Sequence, residues 1–172
     1  MLKLSSLNET LRFERDAAGD LLVEELPGLE HANKDAEISM QLRQWAKKDG
    51  RGRAFSSAGG FRLPNSAVRA PDASWVLRSR IDALSAEEYK KFAPLCPDFV
   101  IELRSASDSL KDLQEKMLEY LENGAKLGWL IDPQEKKVHV YTAENIEILD
   151  NPKKVSGEPL LTGFELDVLE LW

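Results

Sequence analysis

A chain of 172 residues with a formal net charge of −7 and a single cysteine is long enough to bury a core of its own without a disulfide or metal staple. It excludes an internal disulfide, and no apolar run approaches the roughly 20 residues that span a bilayer. The N-terminus, MLKLSSLNETLRFERD, has no long apolar stretch, which predicts a cytoplasmic protein without a secretory signal.

In chain order, LRFERD and LLVEEL flank AAGD and predict a β-hairpin at about residues 9–26, with Gly19 in the turn. LPGLEHA then connects to a helix expected from Asn33, which can cap it, to Gly50, which can stop it. Ile38, Leu42 and Trp45 recur there at helical spacing. RAFSSAGGFRLPNSAVRAPDASWVLR predicts two or three short strands with a turn at Pro64-Asn65-Ser66, Pro71 entering the last. SAEEYKKFA predicts a short helix over 85–93, with Ser85 and Glu88 forming a capping box.

PDFVIELRSASD follows, with Phe99 to Leu103 expected as a strand. Asp108 or Ser109 then caps a helix whose apolar face is Leu110, Leu113, Met117, Leu118, Tyr120 and Leu121, stopped by Gly124. LGWLID and KVHVYT are strands joined by PQEK, NIEIL is another, and FELDVLELW is a short strand-like tail. The order predicts one α/β domain over 1–172, a mixed central β-sheet flanked by α-helices.

Two features carry chemistry. First, nine basic residues lie between Arg43 and Arg80, against Asp49 and Asp72 only. They form either a local phosphate-binding surface on an acidic molecule or scattered solubility charge. Second, a carboxylate, Glu102, interrupts an apolar strand, where an uncompensated charge is costly. Strand alternation puts Glu102 and Arg104 on one face, and Asp72 stands at the mouth of an earlier predicted strand. Pro71-Asp72 followed by Glu102-Leu103-Arg104 has the form PD, a gap, then E-x-K. Two carboxylates converging from neighbouring strands can hold a hard divalent cation, which can polarise a phosphodiester and acidify a water. On spacing alone, Asp72 as a strand-entry cap and Glu102 with Arg104 as a surface ion pair stay equally open.

The stretches SSAGGFRLPNSAVRAPDASWV and PDFVIELRSASDSLKDLQEKMLEYLENGAKLGWLIDP resemble the Uma-two family of predicted endonucleases, within the PD-(D/E)XK restriction-endonuclease-like superfamily. The resemblance runs from about Asn33 to the C-terminus and is carried by G-F-x-L-P-N, R-x-P-D-x-S-W, P-D-F-V-I-E-L-R-S, K-M-x-E-Y and G-W-L-I-D-P. It implies a restriction-endonuclease-like fold and a Mg²⁺- or Mn²⁺-dependent endonuclease acting on DNA, expected as a homodimer with one site per strand.

Residue by residue, the resemblance implies Asp72 and Glu102 as metal-binding acids, with Glu37 as an additional acid from the first helix. Arg104 departs from the superfamily pattern, in which many members carry lysine there; it cannot act as a base but can bind phosphate. Lys116, flanking the buried face of the following helix, resembles a migrated active-site lysine. Arg51, Arg53, Arg62 and Arg69 are the expected nucleic-acid contacts. The arginine substitution and the acidic total keep an alternative alive: a catalytically inactive module of this fold that binds nucleic acid or a protein partner. His139 and Cys96 are expected to be structural, and Tyr120 to pack in the core.

Overall fold

The computed structural model describes residues 11–25 and 27–172. Residues 9, 10 and 26 of the expected hairpin, and the segment 1–10 read for a leader, lie outside the described residues. β1 (Leu11–Arg15) and β2 (Leu21–Glu25) pair antiparallel from Leu11↔Glu25 to Arg15↔Leu21. The turn between them uses Gly19 at φ 98°, a left-handed conformation open to glycine.

α1 (Leu29–Asp49) begins four residues earlier than its sequence pattern predicts. Pro27-Gly28 redirects the chain, and Leu29 to Ala32 contain no helix breaker, so Asn33 falls inside the helix rather than capping it. Gly50, at φ 73°, closes it as expected, donating its N–H to Ala46 O.

Four short strands follow: β3 (Gly52–Ser56), β4 (Phe61–Arg62), β5 (Val68–Arg69) and β6 (Ala73–Leu77). The one-turn α2 (Arg78–Asp82) has no counterpart in the sequence reading. α3 (Ala86–Tyr89) has its Ser85–Glu88 capping box but is shorter than expected. Its C-terminal continuation bends away so that Ala93 bridges Phe61. β7 (Phe99–Leu103), α4 (Leu110–Glu122), β8 (Leu127–Asp132), β9 (Lys137–Thr142) and β10 (Ile146–Asp150) match the pattern closely. The tail holds β12 (Glu165–Asp167) and a 3₁₀ turn over Leu169–Leu171, and β12 pairs with β11 (Lys154–Ser156), a strand with no counterpart in the sequence reading.

The central sheet has the order β10-β9-β8-β7-β6-β3. Its one parallel pair, β7 with β8, is joined by the α4 crossover that parallel strands require. A second sheet, β2-β1-β5-β4, attaches the N-terminal hairpin to the body through the pair Arg15↔Val68.

β7 is buried on both faces, and its alternation sorts the core. Phe99, Ile101 and Leu103 join Ile38 and Leu42 of α1 with Trp75, Trp129 and Phe164. Val100 joins Met117 and Tyr120 of α4. Glu102 therefore points into the α4 side of the sheet. No helix among the described residues is long and apolar enough to cross a membrane.

Candidate active site

The strand register brings the two acids level. β6 and β7 pair Ala73↔Ile101 and Ser74↔Val100, so one step further places Asp72 opposite Glu102. The Leu103 N–H donates to Asp72 Oδ2 at 2.8 Å, and Arg12 Nη1 lies 3.5 Å from Asp72 Oδ1. On the next strand pair, Leu103↔Ile131 extends to Arg104 and Asp132. There the Arg104 guanidinium donates to the buried Asp132 Oδ2 at 2.8 Å and to Asp108 O at 3.3 Å. Arg104 thus pairs with Asp132 rather than with Glu102, its expected ion-pair alternative.

α4 supplies the groups above Glu102. Lys116 and Tyr120, four apart, share a helix face. The Tyr120 hydroxyl donates to Glu102 Oε1 at 2.9 Å, and Lys116 Nζ lies 3.0 Å from the same oxygen. Lys116 also donates to Glu14 Oε1 at 3.0 Å. Glu14, buried on β1, accepts in addition from the Ala70 N–H at 2.8 Å and from Arg69 Nη1 at 3.1 Å. Arg69 Nε reaches Glu119 Oε2 at 2.6 Å, and Asn65 Nδ2 reaches Glu119 Oε1 at 2.9 Å.

The two buried glutamates differ in electrostatics because they differ in donors. Burial pushes the Glu102 carboxyl up to about 8; Lys116 opposes this, while the nearby Asp72 and Glu14 charges add to it. Burial also acts on Glu14, but Lys116, the Ala70 N–H and Arg69 outweigh it and hold that carboxyl below the usual range. Burial and the Glu102 charge raise Tyr120 far above the ordinary phenol value, so it keeps its proton and donates.

A cleft of about 680 Å³ opens over these groups. Arg12, His31 and Lys34 line it together with Asp72, Glu102, Lys116 and the segment Arg104 to Asp108. No group of three or more His, Cys, Asp or Glu side chains placed to hold a metal ion occurs among the described residues. The donor set is two carboxylates. That suits Mg²⁺, which is commonly held by one or two carboxylates with water and substrate phosphate completing the shell.

Of the residues singled out from sequence, the structure brings Asp72, Glu102, Arg104 and Lys116 to this cleft. Glu37 lies elsewhere. Its carboxylate accepts from Gln41 Nε2 at 2.8 Å, and that amide also donates to Asp167 O, on β12. The α1 acid that senses Asp72 is Asp35, two residues earlier and so turned to another side of the helix. It accepts from Ser57 Oγ at 2.8 Å, and burial, then the Asp72 charge, raise its carboxyl.

The expected nucleic-acid arginines disperse. Arg51 sits beyond the far end of β3, where Gly52↔Leu77 is the last pair, and is held by Asp49 at 2.6 Å. Arg53 donates to Tyr89 Oη at 3.2 Å. Arg62 lines a separate hollow with Glu87 and Glu88. Arg69 is at the centre but buried, its guanidinium committed to Glu14 and Glu119. Proximity in sequence does not gather them, because β3 belongs to the central sheet and β4 and β5 to the second sheet.

Arg12, Glu14, Asp35 and Glu119 escaped the sequence reading. For Glu119 and Tyr120 a signal existed, since with Lys116 they fall at spacings of three and four on one helix face. Tyr120 is in the core as expected, yet its hydroxyl serves Glu102. Cys96 is buried, and burial pushes its thiol up to about 12, which leaves no nucleophile. His139 is also buried, which lowers its pKa.

A family profile described as "Putative restriction endonuclease", Uma2, matches residues 1–169. No curated protein matches the chain. Among solved structures, it is similar to the crystal structure of "a putative nuclease belonging to DUF820 from Anabaena variabilis ATCC 29413". The TM-score is 0.78 at 25% sequence identity, covering 92% of this chain and 88% of that one. The expected fold class, a restriction-endonuclease-like mixed sheet flanked by helices, agrees with this likeness, and both findings point to nuclease function in general.

Proposed function

Because the chain belongs to the Uma2 family of restriction-endonuclease-like proteins, we propose that it is a divalent-metal-dependent endonuclease hydrolysing phosphodiester bonds in DNA. One observation supports this above the others. Asp72 and Glu102 stand level on adjacent strands in an open cleft, with the Lys116 ammonium 3.0 Å from Glu102.

Asp72 and Glu102 are the carboxylates that would hold Mg²⁺ or Mn²⁺, which when bound polarises a phosphodiester and acidifies a water. The Leu103 N–H fixes the orientation of Asp72, and Tyr120 that of Glu102. Lys116 orients the attacking water and offsets negative charge that develops on the phosphate. Arg104, braced by Asp132, presents its remaining N–H groups to a phosphate at the cleft mouth; as a permanent cation it stabilises charge and takes no proton. Asp35 takes the place expected of Glu37 as the acid beside Asp72. Cutting both strands of a duplex calls for two such sites, so a homodimer belongs to the proposal.

The test is incubation of the purified protein with supercoiled plasmid and Mg²⁺ or Mn²⁺. Nicking or linearisation is expected, lost in Asp72→Asn and in Glu102→Gln. No cutting with either ion, or cutting that survives both substitutions, overturns the assignment. Arg104 at the third position of E-x-K favours the competing reading, a non-catalytic module of the same fold. Calorimetric titration with Mn²⁺ separates the two, because the module has no reason to bind the ion.

A further inference from the structure

We propose that Glu14, delivered by the N-terminal hairpin, is a positioning residue for Lys116. The inference rests on the endonuclease reading for its kinetic consequence, but its structural content stands apart from it. Lys116 Nζ is shared between Glu102 Oε1 and Glu14 Oε1, each at 3.0 Å. In the proposed reaction Glu102 is committed to the metal. Glu14 is then a carboxylate that stays with the ammonium when Glu102 is drawn away.

Glu14 is built for a fixed role. It is 4% exposed, and both its oxygens are engaged: Oε1 with Lys116 and the Ala70 N–H, Oε2 with Arg69. A carboxylate so occupied has no alternative rotamer that keeps its donors. The brace also returns to α4. Arg69 passes from Glu14 to Glu119, which lies three residues along α4 from Lys116. Three ion pairs thus run in a chain from Lys116 through Glu14 and Arg69 to Glu119, with both ends on α4, and tie the hairpin to the helix bearing the lysine. The apolar side chains of β2 that could have held the hairpin, Leu21, Leu22 and Val23, are exposed instead.

Two measurements on the full chain test this. In lysine-selective ¹⁵N NMR, an immobilised ammonium exchanges slowly enough to be seen, and the Lys116 signal is assigned by its loss in Lys116→Met. It is expected in the wild type and lost in Glu14→Gln. Should Glu14→Gln not fold, Glu14→Asp keeps the charge while shortening the reach, and the same loss is expected. A Lys116 signal unchanged in a folded Glu14 variant overturns the proposal. The second measurement is cleavage. Glu14→Gln is expected to lower kcat by about 10- to 100-fold, as loss of a group that orients an active-site residue does, with KM nearly unchanged. In a Lys116→Met background it should cost nothing more, whereas losses that multiply would show that Glu14 acts independently and sink the idea. A wild type that cuts nothing refutes the endonuclease reading and leaves the NMR measurement to decide the positioning role.

Discussion

Glu102 and Glu14 are equally buried, yet one carboxyl is pushed up to about 8 and the other held below the ordinary range. For Glu102 the consequence for stability follows from linkage. Its ordinary value is 4.5. Between that and about 8 the folded metal-free protein binds a proton that the unfolded chain does not, so stability falls as pH rises through this window. Glu14 acts in the opposite sense: its contribution is present above the ordinary carboxylate value and is lost on acidification through its lowered one. Glu102→Gln removes the first effect. In EDTA its Tm should exceed that of the wild type by a few degrees at pH 8.5, with the gap shrinking at pH 5. A wild type at least as stable as the variant at pH 8.5 would count against a destabilising ionised Glu102. Glu102 was legible in the sequence because a carboxylate in an apolar strand conflicts with burial and demands a partner, and Asp72 because it stands at the mouth of another strand at the PD-to-E-x-K spacing. Glu14 was not, because LRFERD reads as an ordinary exposed hairpin strand, and nothing local announces that its acid will be buried 102 residues away from its lysine.

α4 is the element that turns the sheet into a site. Its start is set by Ser109, whose hydroxyl accepts from the Asp112 N–H, and Ser109→Ala should cost about 1 kcal/mol in denaturant unfolding. Gly128 on β8 faces this helix, and a Cβ there would meet Met117 Cε. That methyl is the free end of a flexible side chain and can turn aside, so Gly128→Ala should cost about 1 kcal/mol or less in denaturant unfolding and leave cleavage nearly unchanged; a larger loss of either would show that Met117 has no room to move. The face of this helix could be read from its apolar spacing, except that Leu118 is exposed, and its end from Gly124. The start of α1 could not, because Gly28 offers no capping side chain and the last plausible cap in sequence, Asn33, lies within the helix.

Over the whole molecule, the charge that matters is not where the sequence concentrates it. Arg51, Arg53 and Arg62 lie away from the cleft, while Arg12 and Lys34, outside the basic segment or before it, line it. Replacing Arg51, Arg53 and Arg62 together by serine should change DNA affinity less than about twofold. Arg12→Ser should weaken it and flatten its salt dependence, as loss of a phosphate contact does. Fluorescence anisotropy over a salt series checks both. Buried charge has the larger effect on stability. Arg69→Ala takes one donor from Glu14, which keeps Lys116 and the Ala70 N–H, and one from Glu119, which keeps Asn65, and should cost about 1–3 kcal/mol in denaturant unfolding.

Arg12 and Glu14 come from the first described strand, Asp72 and Glu102 from the middle of the chain and Lys116 from the helix after it. No shorter stretch than this contains the proposed cleavage centre. A chain still leaving the ribosome holds both proposed metal-binding acids before it holds the lysine, and a chain severed between β6 and β7 divides them. In the proposed endonuclease, cutting is then tied to completion of folding: no unfinished chain and no single fragment carries the whole centre.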